Sequence, residues 1–198
     1  LGINANLSLG DLDINALNNS HWLYLEGYLA TDSNRTALAI EVMKKAKETQ
    51  VKTAISLSDP FVAEIFNKQI KDIISGEVDL IFCNEEEALA FTKKNNIKDG
   101  VSKLKKYAKT FAITLADRGC LVYDGTTEFI IPAKKVKAID TNGAGDMFAG
   151  AFLYAINNAF SYYDAAKFAN IAAASVVSEF GARIAKSEYA KIKKEFNI

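Results

Sequence analysis

Apolar residues along this chain switch repeatedly between two spacings. Trp22, Leu23, Tyr24 and Leu25 form a short run ending at Gly27-Tyr28, the pattern of a strand entering a glycine turn. Across residues 34–49, Leu38, Val42 and Ala46 recur at every fourth position, which predicts an amphipathic helix. Residues 51–57 predict a strand, closed by Asp59-Pro60. Helical spacing returns over 61–74 through Phe61, Ile65, Phe66, Ile70 and Ile73. Residues 79–83 read as a strand, 84–92 and 101–109 as helices, and 111–115 as a strand. Residues 120–123 and 128–131 read as a strand pair across Asp124-Gly125-Thr126. A short strand ending at Ile139, long helices over 145–158 and 162–179, and a short final helix complete the pattern.

Strands alternating with helices across short connections predict an α/β fold of three layers, with a mainly parallel sheet covered on both faces. Its crossovers are expected to be right-handed. Ligands of such sheets bind beyond the carboxyl ends of the strands, so chemistry is expected in the loops after Leu57, Cys83, Leu115 and Ile139. No repeat, low-complexity tract or linker interrupts the chain.

Composition narrows the function. The 198 residues are 49% hydrophobic, which suits one globular domain. Twenty-four basic residues balance 24 acidic ones, so no net field calls for nucleic acid or an anionic membrane. No apolar run approaches the ~18 residues of a membrane span. The start, Leu1 to Asn6, lacks the basic region of a signal peptide. Cys83 and Cys120 are too few for a disulfide scaffold and lack zinc-ligand spacing; they read as buried thiols in a reducing, cytoplasmic compartment. His21, the lone histidine, reads as structural, and the lysines at 44–47 and 103–109 as solvated helix faces.

One segment carries candidate chemistry. Asp140-Thr141-Asn142-Gly143-Ala144-Gly145-Asp146 leads into a helix. Its glycines let the backbone approach a ligand, and the amides of Gly143, Ala144 and Gly145 are expected to point out of the first turn towards an anion. Asp146 beside them could take a proton from an attacking hydroxyl. By itself the pattern also fits a capped helix start. A dinucleotide motif would need glycine at Phe148, and no P-loop sequence occurs.

This segment, with the Met147-Phe-Ala-Gly-Ala-Phe-Leu153 that follows, resembles the second signature of the PfkB, ribokinase-like kinases. Further along the same likeness, Asn84 to Glu87 resembles the family's N-x-x-E, and Thr114-Leu115-Ala116-Asp117-Arg118-Gly119 its T-L-G-x-x-G turn, with Ala116 in place of glycine. Asn170, eleven residues before Gly181, falls where the family has a nucleotide-binding asparagine on a helix. The resemblance implies an ATP-dependent kinase that phosphorylates a hydroxyl of a sugar or nucleoside, with Asp146 as base and Gly143, Ala144 and Gly145 as the anion hole. It implies ATP contacts at Asn84, Thr114, Leu115, Asp117, Gly119 and Asn170, and magnesium held by Glu87 through water. It also implies a potassium cage at Asp140, Asn142 and Gly181, a reading the sequence supports least because such ligands are mostly carbonyls. Gly181 is read as the C′ residue of the helix 162–179.

By the same resemblance residues 1–198 are the C-terminal portion of one ribokinase-like domain. The family's first signature and lid have no counterpart here, and residues 1–28 match the middle of a relative, with a helix start at Asp11-Leu12. About 100 or more further residues are therefore expected before Leu1. The implied partners are ATP and a small acceptor, without nucleic acid or membrane; a homodimer is left open. Two rivals stand beside the kinase: a non-catalytic nucleotide-binding regulator, which would need the amides but not Asp146, and an interaction domain without ligand.

Overall fold

The structure, a computed structural model, describes residues 7–196. The start at Leu1 to Asn6 lies outside the described residues. Six strands form one sheet in chain order, β1 to β6, within a three-layer α/β fold. The chain divides into two units, Leu1–Phe111 and Ala112–Ile198, and the division falls inside β4 (Ala108–Thr114).

In the first unit β1 (Trp22–Glu26), β2 (Lys52–Ser56) and β3 (Val78–Asn84) run parallel, with Tyr24 opposite Ala54 and Ala54 opposite Leu80. A short helix, α1 (Ile14–Asn18), precedes β1. Between the strands lie α2 (Ser33–Glu48), α3 (Pro60–Ile65) and α4 (Asn67–Ile74); α5 (Glu85–Thr92) and α6 (Ile97–Leu104) follow β3. Helices α2 and α3 each start on a side-chain cap. Asp32 accepts from the amides of Asn34 and Arg35, and Asp59 from those of Phe61 and Val62, with Pro60 at the first helical position. The expected face of α2 is buried at Leu38, Val42 and Ala46. Lys47 Nζ donates to the carbonyls of Ile74 and Ser75 at the end of α4, a cation where a helix leaves carbonyls unpaired.

In the second unit β5 (Cys120–Tyr123) and β6 (Glu128–Ile131) form the expected antiparallel pair. Helix α7 (Ala144–Asn157) packs along α8 (Tyr162–Val177), α8 lies on β5 and β6, and α9 (Lys186–Glu195) contacts α8. Phe148, Phe152, Ala165, Ala166 and Ala169 are buried, and the alanines allow the helices to approach closely.

Five local readings change. The expected helix 61–74 breaks at Phe66. There the buried Asn67 donates its side-chain amide to the carbonyls of Ala63 and Phe91, taking the acceptor that would have continued the helix. Phe61 and Ile65 consequently face out, while Val62, Ala63, Ile70 and Ile73 are buried. The helix expected at 101–109 begins earlier, capped by Asn96, and Ala108 and Lys109 join β4. No strand precedes Asp140, because residues 134–139 are exposed and the amides of Ile139 and Asp140 both go to Val177 O. The start at Asp11-Leu12 is a single 3₁₀ turn, and Asp13 caps α1. Helix α8 ends at Val177 with Ser178 as its cap, so Gly181 lies three residues past the cap.

Candidate active site

The loop before α7 is held from both ends. Asp140 Oδ1 accepts from Asn142 N and Oδ2 from Gly181 N, each at 3.0 Å. These two amides, Asn142's first, hold the Asp140 carboxyl below its usual range. The groups that meet Asp140 are thus donors. Through these two bonds Asp140 clasps two loops together.

Gly143 follows at φ 76°, and a Cβ there would stand 2.5 Å from that of Ala182. Only glycine meets both demands. It opens α7 with no side-chain cap. Ala144 N donates to Thr141 O at 3.2 Å, closing the turn, so this amide is withdrawn from the expected anion hole. The amides of Gly143, Gly145 and Asp146 have no hydrogen-bond partner among the described residues. They sit at the positive end of a 14-residue helix. A Cβ on Gly145 would meet nothing within 4 Å, so nothing in the fold demands glycine there. The Asp146 carboxylate is exposed and has no hydrogen-bond partner among the described residues.

The turn after β4 is closed by Leu115 N to Gly119 O at 2.7 Å and Gly119 N to Ala116 O at 3.1 Å. Ala116 adopts φ 55°, the left-handed region in which its substitution for glycine carries a cost. A Cβ on Gly119 would stand 1.9 Å from Ile131 O, which excludes every other residue. Leu115 is buried, Thr114 half-buried and Asp117 exposed. Asn170 is 9% exposed. Its Nδ2 donates to Ile131 O and Pro132 O, and it also bonds the Cys120 thiol. The buried amide found partners, as burial demands, but they are the end of β6. A ligand that accepts from Asn170 Nδ2 would have to compete with them.

In the first unit Asn84 and Glu87 close a capping box. Asn84 Oδ1 accepts from Glu87 N at 2.8 Å, while the Glu87 carboxylate accepts from Asn84 N at 3.0 Å and from Asn84 Nδ2 at 2.8 Å. Glu87 is only 7% exposed, so it is not a solvated first-turn acid. Burial first, then the charges of Asp59, Glu26 and Glu86, push its carboxyl up to about 7, against the lowering effect of its bond from Asn84. Glu26 itself bonds Ser58 Oγ at 2.9 Å. Glu26, Ser58 and Asp59 were missed by motif reading; their only signal was their place at the end of β1 and just past the end of β2. An excess of acid around a buried carboxyl suits a site completed by a cation. Among the described residues, however, no three His, Cys, Asp or Glu side chains converge closely enough to bind one unaided. Magnesium held through water fits better here than a direct protein cage.

The cysteines take no part. Both are free and buried; burial pushes the Cys120 thiol up to about 12 and that of Cys83 well above its usual range.

The exposed carboxylate of Asp146, the unpaired amides and the glycine-opened α7 lie in a chain that matches a known family along most of its length. The sequence pattern of the pfkB family carbohydrate kinases covers residues 2–188. The chain belongs to this family. A ribokinase of Lactococcus lactis is 30% identical over 154 residues, 78% of this chain and 48% of that protein. A cytidine kinase of Thermococcus kodakarensis is 41% identical over 87 residues, 42% of this chain and 31% of that one. The crystal structure of an adenosine kinase from Sinorhizobium meliloti superposes with a TM-score of 0.91 at 27% identity, covering 96% of this chain and 59% of that one. The chain thus spans about half the length of the curated pfkB relatives it matches. No helix among the described residues is long and apolar enough to cross a membrane.

Proposed function

We propose that this chain carries the phosphoryl-transfer machinery of an ATP-dependent kinase acting on a hydroxyl of a sugar or nucleoside. The observation that carries the reading is the conjunction at the start of α7. Three unpaired amides stand next to an exposed carboxylate that has no hydrogen-bond partner among the described residues. A binding module needs only the amides, so the free carboxylate favours a catalyst over a regulator.

In this reading Asp146 accepts the proton of the attacking hydroxyl. The amides of Gly143, Gly145 and Asp146 donate to oxygens of the phosphoryl group as negative charge shifts upon them. Ala144 contributes through the turn it closes with Thr141. The ATP–magnesium pair supplies the phosphoryl group and neutralises part of its charge. Glu87 and Asn84 are assigned to magnesium-bound water and nucleotide. Thr114, Asp117 and Gly119 border the nucleotide, Leu115 serving as the buried anchor of their turn. Asn170 keeps its place through the family likeness, although its amide is already engaged. A potassium cage at Asp140, Asn142 and Gly181 would use the carbonyls of the last two.

The test is phosphorylation of a sugar and nucleoside panel by the enzyme at its full natural length, with ATP and magnesium. Transfer to at least one acceptor is expected, and Asp146→Asn should lower turnover by about 10²–10⁴ while ATP binding persists. Near-normal turnover by that variant would remove Asp146 from the mechanism, and nucleotide binding without transfer to any acceptor would favour the regulator.

A further inference from the structure

Two charges of opposite sign line one cavity of the second unit, and the mechanism above uses only one of them. Asp146 lines this cavity of 510 Å³, and so does Arg183. Arg183 is exposed and forms no hydrogen bond, ion pair or ring contact with the described residues. The two charges therefore share an opening without pairing with each other.

The clasp at Asp140 brings Arg183 to this place. Gly181 N donates to Asp140 Oδ2 at 3.0 Å. Ala182 then lies so close to Gly143 that a Cβ on the glycine would stand 2.8 Å from Ala182 Cα. Consecutive Cα atoms are about 3.8 Å apart, so the Arg183 side chain starts within about 8 Å of Gly143. An arginine side chain and one hydrogen bond span that gap. Gly143 carries the first of the three unpaired amides.

We propose that Arg183 is a further catalytic residue, whose guanidinium donates to oxygens of the γ-phosphoryl group during transfer. The proposal rests on the reading of Asp146 as base. In the step, the acceptor oxygen bonds to the γ-phosphorus and its proton passes to Asp146. The bond from that phosphorus to the bridging oxygen breaks, and its electron pair leaves with ADP. Arg183 exchanges no proton and serves by charge alone.

Electrostatics favour a cation at this point. The Asp146 carboxylate repels the same phosphoryl oxygens that the amides attract. A helix end offers only about half an elementary charge, spread over its free amides. A guanidinium supplies a whole charge and a planar fork of donors that matches phosphoryl oxygens. The other cation lining the cavity, Lys193, is already engaged, its Nζ 4.7 Å over the Tyr154 ring. Tyr154 lies two helical turns beyond Asp146, about 12 Å along α7 at about 1.5 Å per residue. Lys193 is thus held towards the far end of the stripe, and Arg183 is the cation left free beside the amides.

Arg183→Ala and Arg183→Lys in the full-length enzyme test this with two readouts. In steady-state kinetics, Arg183→Ala should lower kcat by about 10²-fold or more, the scale of losing one donor to developing charge. The KM values for ATP and acceptor should stay as they are. Arg183→Lys keeps the charge but not the fork, so its kcat should fall between the two, and added guanidinium chloride should restore part of the loss in Arg183→Ala. The second readout needs no acceptor: calorimetric binding of ADP and magnesium with and without aluminium fluoride, a mimic of the phosphoryl group in flight. Fluoride should tighten binding to the unaltered enzyme, and Arg183→Ala should lose most of that gain while binding ADP alone as before. An unchanged kcat, a change confined to the acceptor KM, or a full fluoride gain in Arg183→Ala would each overturn the assignment. So would a loss of kcat matched by a lower melting temperature and weaker ADP binding, which would make Arg183 a loop anchor. A full fluoride gain in Arg183→Ala while Asp146→Asn remains crippled sinks only Arg183. No fluoride gain in the unaltered enzyme sinks the anion hole with it, and normal turnover by Asp146→Asn sinks the base.

Discussion

Asp146 and Glu87 are both acids in the first turn of a helix, and their surroundings treat them oppositely. Glu87 is buried, returns both carboxylate oxygens to Asn84, and is pushed up to about 7. Asp146 stays exposed, with no partner among the described residues. Motif spacing singles out both, but only the packing shows that one is confined and the other available. Gly145 makes the same point for a residue with no side chain. Ala is favoured over Gly in a helix by about 0.5–1 kcal/mol, and the space around position 145 is open. Gly145→Ala should therefore raise the melting temperature slightly. It should also lower turnover, because the added methyl stands where a phosphoryl group would approach the amides. Calorimetry and kinetics on one sample check this, and a variant both more stable and fully active would remove the anion-hole role. Ala144 and Asn170 were the residues least legible beforehand. Sequence marks an amide or a buried asparagine as needing a partner, but cannot say that Thr141 O, or the end of β6, already supplies one.

The elements followed their hydrophobic spacing where one face packs on the sheet, as in α2, and departed from it where a buried polar side chain intervened. The helix expected through 61–74 has a continuous apolar pattern, yet Asn67 breaks it and leaves Phe61 63% and Ile65 57% exposed. Periodicity counts carbon and does not register a buried amide that must find carbonyls. The turn joining β4 to β5 shows the converse case, in which a departure from family pattern had a readable physical meaning. Ala116 stands in the left-handed region at φ 55°, where glycine has no steric penalty. Ala116→Gly should therefore stabilise the protein by up to about 1 kcal/mol, the relief of strain being partly offset by the greater freedom of glycine in the unfolded chain. Urea unfolding checks the sign, and a loss of stability would show that Ala116 makes a contact worth more than its strain.

At the scale of the whole molecule, the acids at the carboxyl ends of β1, β2 and β3 should leave a signature in the pH dependence of stability. The folded Glu87 carboxyl titrates near 7, above its ordinary value of 4.5. Between those values the folded state keeps a proton that the unfolded state has released. The contribution of Glu87 is therefore fully present below about 4.5 and is lost as pH rises through about 7. Urea midpoints measured without magnesium should fall between pH 5 and pH 7, and Glu87→Gln should flatten that fall. An unchanged slope in the variant would show that Glu87 is ionised in the fold throughout. The order of strands and helices, apart from the break at Phe66 and the strand expected before Asp140, was determined by the sequence alone, as were the antiparallel pair β5–β6 and the glycine-opened start of α7, because apolar spacing and glycine placement are local properties. The tertiary structure alone decided that Asp140 is a clasp between loops, which amides stay free, and that burial, more than the nearby acids, raises the Glu87 carboxyl. Those outcomes depend on distances between residues far apart in the chain, such as the 3.0 Å from Gly181 N to Asp140 Oδ2, and on the exclusion of water that gives each such contact its strength.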